Sequence, residues 1–176
     1  MFSYCFSLIE INLGKLDFAL SSNFSCLFRG CKNLEKIDVS HFNTKNSKSF
    51  ELMFQGCSKL KELNISKFKT TSCENIRCMF SDCSSLESID MLNWDMKNIN
   101  NIEYLFNGCS KLKNIEMNFN NHNPKCFQEY YFFGKHNPRE TIFRGLPEGG
   151  LFIWKKGTNC NELMKLLPVS WNKIQE

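Results

Sequence analysis

The chain has 176 residues, 42% of them hydrophobic, with 17 Phe and a formal net charge of +4. That is enough apolar material for one extended domain with a core. Lys and Glu are interspersed, as in Lys59-Leu60-Lys61-Glu62, and basic clusters stop at pairs such as Lys155-Lys156, which argues against a nucleic-acid footprint. No window approaches 18 apolar residues, so no transmembrane helix and no direct membrane insertion is expected.

From the first residue the chain repeats itself. Cys5, Cys31, Cys57, Cys83 and Cys109 stand 26 residues apart. Three before each is Phe2, Phe28, Phe54, Phe80 or Phe106, and three after is Leu8, Leu34, Leu60, Leu86 or Leu112. Further apolar columns run through Ile11, Ile37, Leu63, Ile89 and Ile115, and through Leu13, Val39, Ile65, Met91 and Met117. A fixed period of this size predicts a repeat array whose units bury their columns only by stacking. Because Met1-Phe2 falls on the repeat phase with no polar cap ahead of it, a fragment of a longer array is expected. An exposed first coil then predicts fraying or self-association over residues 1–25.

Each unit carries two periods. Ile37-Asp38-Val39, Leu63-Asn64-Ile65 and Ile89-Asp90-Met91 alternate like a half-buried strand. Phe50, Met53 and Phe54 have the i, i+3, i+4 spacing of a helix face, as do Ile76, Met79 and Phe80. Asn46, Ser72 and Asn98 precede these segments as N-cap acceptors, and Gly30, Gly56 and Gly108 follow as left-handed C-terminal turns, with Asp82 in one such slot. The expected fold is an α/β repeat solenoid with one short strand and one short helix per coil over residues 1–117.

After Met117 the phase breaks at Asn118-Phe119-Asn120, and all four prolines lie beyond. Residues 118–176 read as a small mixed cap. Strands are expected at Thr141–Arg144, Leu151–Trp154 and Trp171–Ile174, a turn at Leu146–Gly150, and a helix over Asn161–Leu167.

The unit Leu52-Met53-Phe54-Gln55-Gly56-Cys57-Ser58-Lys59-Leu60-Lys61-Glu62-Leu63-Asn64-Ile65-Ser66-Lys67-Phe68, with Thr70 two residues on, resembles BspA-like leucine-rich-repeat surface proteins. The resemblance covers residues 1 to about 119. It departs from ordinary leucine-rich repeats at Phe42, Phe68 and Trp94, where those carry an asparagine. Gly145-Leu146-Pro147-Glu148-Gly149-Gly150 and Leu167-Pro168-x-x-Trp171 are similar to segments that close such arrays. The resemblance implies a secreted or cell-surface adhesion and recognition module without catalytic activity. The alternative is an intracellular interaction scaffold using the same face.

The candidate ligand face is the outward strand column Asn12, Asp38, Asn64, Asp90 and Glu116, flanked by Lys36, Glu62 and His41. A protein or glycan is the expected ligand. The competing explanation is a solvated ladder of side chains along the sheet. Of ten cysteines, the five of the repeat column read as a packing ladder of free thiols, with vertical disulfides between stacked units the alternative. Cys73, Cys78 and Cys83 lack the CxxC spacing of a structural zinc site, and neither metal nor cofactor is expected. Cys126 or Cys160 with His122 or His136 could form a hydrolase pair, but no spacing motif supports it.

Overall fold

The computed structural model describes residues 1–14, 16, 18, 20–118, 142–154 and 161–175. Its strands are β1 (Glu10–Ile11), β2 (Lys36–Ile37), β3 (Ser88–Met91), β4 (Asn114–Met117), β5 (Leu151–Trp154) and β6 (Asn172–Gln175); helix α1 spans Asn161–Leu166. All pairings are parallel, β1 with β2 and then β3-β4-β5-β6. The register follows the repeat, with Glu10 opposite Lys36 and Ser88 opposite Asn114. A second parallel line of bridges joins Asn23, Ser49, Asn75 and Asn101. Successive 26-residue units therefore lie one on the next, and their apolar columns form one core.

The segment expected to be helical is a ladder of tight turns. The N–H groups of Phe50, Leu52, Phe54 and Gly56 donate to the carbonyls of Asn75, Arg77, Met79 and Ser81 in the next unit, at 2.8–3.0 Å. Between them, Met53, Gln55 and Cys57 donate back to the carbonyls of Phe50, Leu52 and Phe54. Alternate N–H groups point out of the unit because every fourth residue is left-handed: Leu52 at φ 59° and Gly56 at φ 75°, then Cys78 at 55° and Asp82 at 60°. The reason is spacing. Stacked Phe rings along this side lie 5.6 Å apart at Phe28–Phe54 and 6.3 Å at Phe54–Phe80. Packed helices need about 8–10 Å between axes and use their N–H groups internally. One helix per coil does not fit. The recurring glycines serve this left-handed turn, as the sequence suggests, but within a ladder and not at a helix end.

The acceptors that open each ladder also differ from expectation. Asn23, Asn75 and Asn101 take the N–H two residues on, at 2.8, 2.9 and 3.0 Å, and the Ser49 hydroxyl does the same for Glu51 at 3.2 Å. Asn98, expected as a cap, instead donates its side-chain amide to the Thr71 carbonyl of the preceding unit.

Two side-chain ladders reinforce the stack. Each column thiol donates to the Phe carbonyl of the unit before: Cys31 to Phe2, Cys57 to Phe28, Cys83 to Phe54 and Cys109 to Phe80, at 3.0–3.2 Å. The eight described cysteines are free thiols. The Thr70 hydroxyl, 2% exposed, accepts from the Asp95 N–H at 2.7 Å and donates to the Asp95 carbonyl at 3.1 Å. Thr44 does the same for Lys69. One hydroxyl thus serves both the N–H and the carbonyl of a single residue in the next unit, where the ladder would otherwise lapse. Thr70→Val keeps the shape and removes both bonds, so it should cost about 2–4 kcal/mol by leaving two half-buried backbone groups unpaired. Urea unfolding of T70V against the parent chain checks this.

The stacking continues past residue 118. Phe106 and Gly108 donate to the carbonyls of Ile142 and Arg144, and the Phe143 ring stacks on Phe106 at 6.1 Å. Thr141–Arg144, expected as a strand, belongs in its described part to this turn ladder. Residues 151–154 then pair with β4, so residues 142–154 act as another coil. Trp171 closes the end. It is 3% exposed, donates its indole N–H to the Pro147 carbonyl at 2.9 Å, and lies against Gly150 so closely that any Cβ there would clash.

Candidate ligand-binding face

The strand column stands on the surface as the alternation requires. Asn12, Asp38, Asn64, Lys36, Glu62 and His41 are exposed, while Asp90 and Glu116 are half-buried. The neighbours at each side, such as Ile89 and Met91, are buried at 2% and 0% exposure.

The column has a local role that its sequence did not disclose. Asn12 Oδ1 accepts the Gly14 N–H at 3.0 Å, Asp38 Oδ1 the Ser40 N–H at 2.8 Å, Asn64 Oδ1 the Ser66 N–H at 3.2 Å, and Asp90 Oδ1 the Leu92 N–H at 2.9 Å. Each side chain closes an Asx turn that ends the strand segment, which needs a short side chain with a carbonyl or carboxylate oxygen. That accounts for Asn and Asp recurring there. It leaves one polar atom of each, an Oδ2 or an Nδ2, for other contacts. Bonds from the Ser40 hydroxyl and N–H hold the Asp38 carboxyl below its ordinary pKa, and the nearby His41 and Lys67 add to this. His41 Nε2 lies 3.1 Å from the Leu13 carbonyl and donates to it, which fixes the tautomer.

Among the described residues, two shallow depressions on this face each lie between adjacent units. The first, about 280 Å³, is lined by Ile11, Asn12, Leu13, Gly14, Asp38 and His41. The second, about 390 Å³, is lined by Glu62, Leu63, Asn64, Ile65, Ser66, Ser88 and Asp90. Six of the eight predicted residues therefore meet in two places. Lys36 lies in β2 and Glu116 in β4, outside both. Gly14 was not legible in the sequence. Between the depressions the sheet is interrupted, because no backbone hydrogen bond among the described residues joins 36–39 to 62–65.

Elsewhere the turn side carries an ion-pair line, Arg77 to Glu51 at 3.5 Å and to Glu103 at 3.2 Å. Half-exposed pairs of this kind add little stability. Among the described residues no group of three or more His, Cys, Asp or Glu is placed to hold a metal ion. Nor is any helix there long and apolar enough to cross a membrane. Cys126, Cys160, His122 and His136 lie outside the described residues.

No curated protein and no solved structure matches the chain. Residues 1–136 match the family described as "Mycoplasma protein of unknown function, DUF285", and the chain belongs to that family.

Proposed function

We propose that this chain is a leucine-rich-repeat-like solenoid of BspA-like type, and that it works as a non-enzymatic recognition or adhesion module at the cell surface. Its ligand is a protein or glycan held on the strand face. The observation that carries this reading is the pair of depressions, in which the recurring Asn and Asp column meets neighbours that change from unit to unit, such as His41, Glu62 and Ser88. Asn12, Asp38 and His41 line one, while Glu62, Asn64, Ser66, Ser88 and Asp90 line the other. Beneath them the core columns hold constant and rigid, so the surface can vary without cost to the fold. Side-chain amides, carboxylates and hydroxyls suit hydrogen bonding to sugar hydroxyls or to a polar peptide.

The test is binding of the purified chain to printed glycan and extracellular-protein arrays. The triple variant Asp38→Lys, Glu62→Lys and Asp90→Lys should lose at least about tenfold in affinity for any ligand found, or about 1.4 kcal/mol. A control with Lys45→Glu and Lys97→Glu, exposed away from the face, should bind as the parent does. Equal binding by both variants would place the ligand elsewhere.

A second reading, an intracellular scaffold using the same face, is favoured by the free thiols, four of which act as S–H donors between units. Protease shaving of intact cells separates the two: loss of the protein from the cells supports the surface reading, and full protection supports the scaffold.

A further inference from the structure

The two depressions on the strand face occupy the same positions of the repeat, two units apart. In the first, Asn12 between Ile11 and Leu13 meets Asp38 of the next unit. In the second, Asn64 between Leu63 and Ile65 meets Asp90 of the next unit. Two repeat periods separate Asn12 from Asn64 and Asp38 from Asp90. Amide and carboxylate therefore alternate along the column.

The Asx turns hold these four side chains alike. Each Oδ1 accepts the N–H two residues on. Asn12 and Asn64 keep an Nδ2 that donates, and Asp38 and Asp90 keep an Oδ2 that accepts. Each depression thus sets one donor beside one acceptor in adjacent units. The pair recurs after about 10 Å, two steps of the strand spacing.

A ligand that fills both depressions must repeat over that distance and bring both donors and acceptors. An extended peptide presents the same face every second residue, about 7 Å along, and falls out of step. A polyproline-II peptide repeats at about 9 Å, but its prolines bring no N–H to the carboxylates. A chain of pyranoses linked equatorially at both ends fits better. Each ring advances by close to one strand spacing and is turned over relative to the last, so the same edge recurs at every second sugar. Its hydroxyls donate to carboxylates and accept from amides. The ring C–H groups can rest on the apolar residues that flank each asparagine. Among the described residues, Asp38, Glu62 and Asp90 line the depressions and no Lys or Arg does, which repels uronate and sulfate groups.

We propose that the strand face binds an uncharged, linear β-1,4-linked polysaccharide, laid along the stack with one disaccharide to every two units. This rests on the recognition reading above and names its ligand.

Calorimetric titration of the full chain tests it, with β-1,4-linked gluco-, N-acetylgluco- and manno-oligosaccharides of two to six sugars and an α-1,4-linked gluco series as the control. In at least one β-1,4 series, affinity should rise at least about tenfold between two and four sugars, as the second depression becomes engaged. The α-1,4 series should bind at least about tenfold more weakly at every length. Asp90→Asn and Asn64→Asp each keep the Oδ1 acceptor of the Asx turn and invert the remaining atom. Each should bring the affinity for the longer sugars down to that for the disaccharide, with an unchanged circular dichroism spectrum. Affinity that does not grow with length, or equal binding of the α-1,4 series, would overturn the proposal. A polypeptide ligand lost on the Asp38→Lys, Glu62→Lys, Asp90→Lys variant, with no oligosaccharide bound, would overturn the polysaccharide and leave the recognition reading standing. Oligosaccharide binding that no substitution on the face alters would overturn both.

Discussion

Raising the pH should unfold this chain cooperatively between about pH 9 and 11 under reducing conditions, with the neutral-pH spectrum recovered on return. Burial pushes the Cys73 and Cys109 thiols up to about 12, and it holds Cys57 and Cys83 well above their ordinary value too. A folded state that holds its protons more tightly than the unfolded state is favoured while both are protonated. That advantage is complete below the ordinary thiol value near 9. It falls as the unfolded chain begins to ionise, and it is gone once the pH passes the folded values. At pH 10 each such thiol should cost about 1.4 kcal/mol, so four together cost about 5–6 kcal/mol, comparable to the whole stability of many domains. Far-ultraviolet circular dichroism along a pH titration, with urea melts at pH 7, 9 and 10, gives the slope. The thiol account requires about four protons released per unfolding event. Flat stability from pH 7 to 11 would mean that the thiols are not held as donors in the core.

Removal of the central ring of the stack, Phe54→Ala, should cost about 3–5 kcal/mol and lower the midpoint of thermal unfolding by roughly 10–15 °C. Phe54 is fully buried, with parallel rings on both sides at 5.6 and 6.3 Å. The units above and below are held apart by the backbone bonds of the turn ladder on either side of Phe54, which resists collapse into the hole. Phe6→Ala is the comparison, since that ring is 50% exposed and should cost less than about 1 kcal/mol. Equal losses at the two positions would contradict a continuous ring column through the units.

The columns were legible because a residue that faces its own copy one unit away is constrained in the same way in every unit. Phe2 through Phe106 and the cysteines therefore stand out at first reading. The backbone between them was not legible. Phe50, Met53 and Phe54 have a spacing common to a helix face and to a run of three-residue turns. The discriminating feature is the left-handed residue at every fourth place. Gly30, Gly56 and Gly108 advertise it, but Cys26, Leu52, Cys78 and Tyr104 take the same conformation under ordinary side chains. The distance between units decides for turns, and a single unit does not carry that information.

The strand segments show the same limit. Leu63-Asn64-Ile65 has the alternation of Ile89-Asp90-Met91, yet only the latter lies in a ladder strand, because pairing depends on the neighbouring unit. In the candidate face, exposure followed from alternation, whereas the Asx turns depended on the N–H two residues on. At the C-terminal end, Leu151–Trp154 and the helix over Asn161–Leu166 arise where turn residues and proline predict them. The return of the repeat phase at Phe143 was hidden by the residues intervening after Asn118.

The most direct test of interchangeable stacked units is a pair of deletions. Removing residues 57–82, one whole 26-residue unit, joins Gly56 to Cys83 and restores every column. Removing residues 57–69, half a unit, joins Gly56 to Thr70 and puts every later column out of phase. Thermal unfolding followed by circular dichroism should show a cooperative transition and native-like spectrum for the first, and an unfolded chain for the second. Matching behaviour of the two deletions, whether both fold or both fail, would contradict the stack.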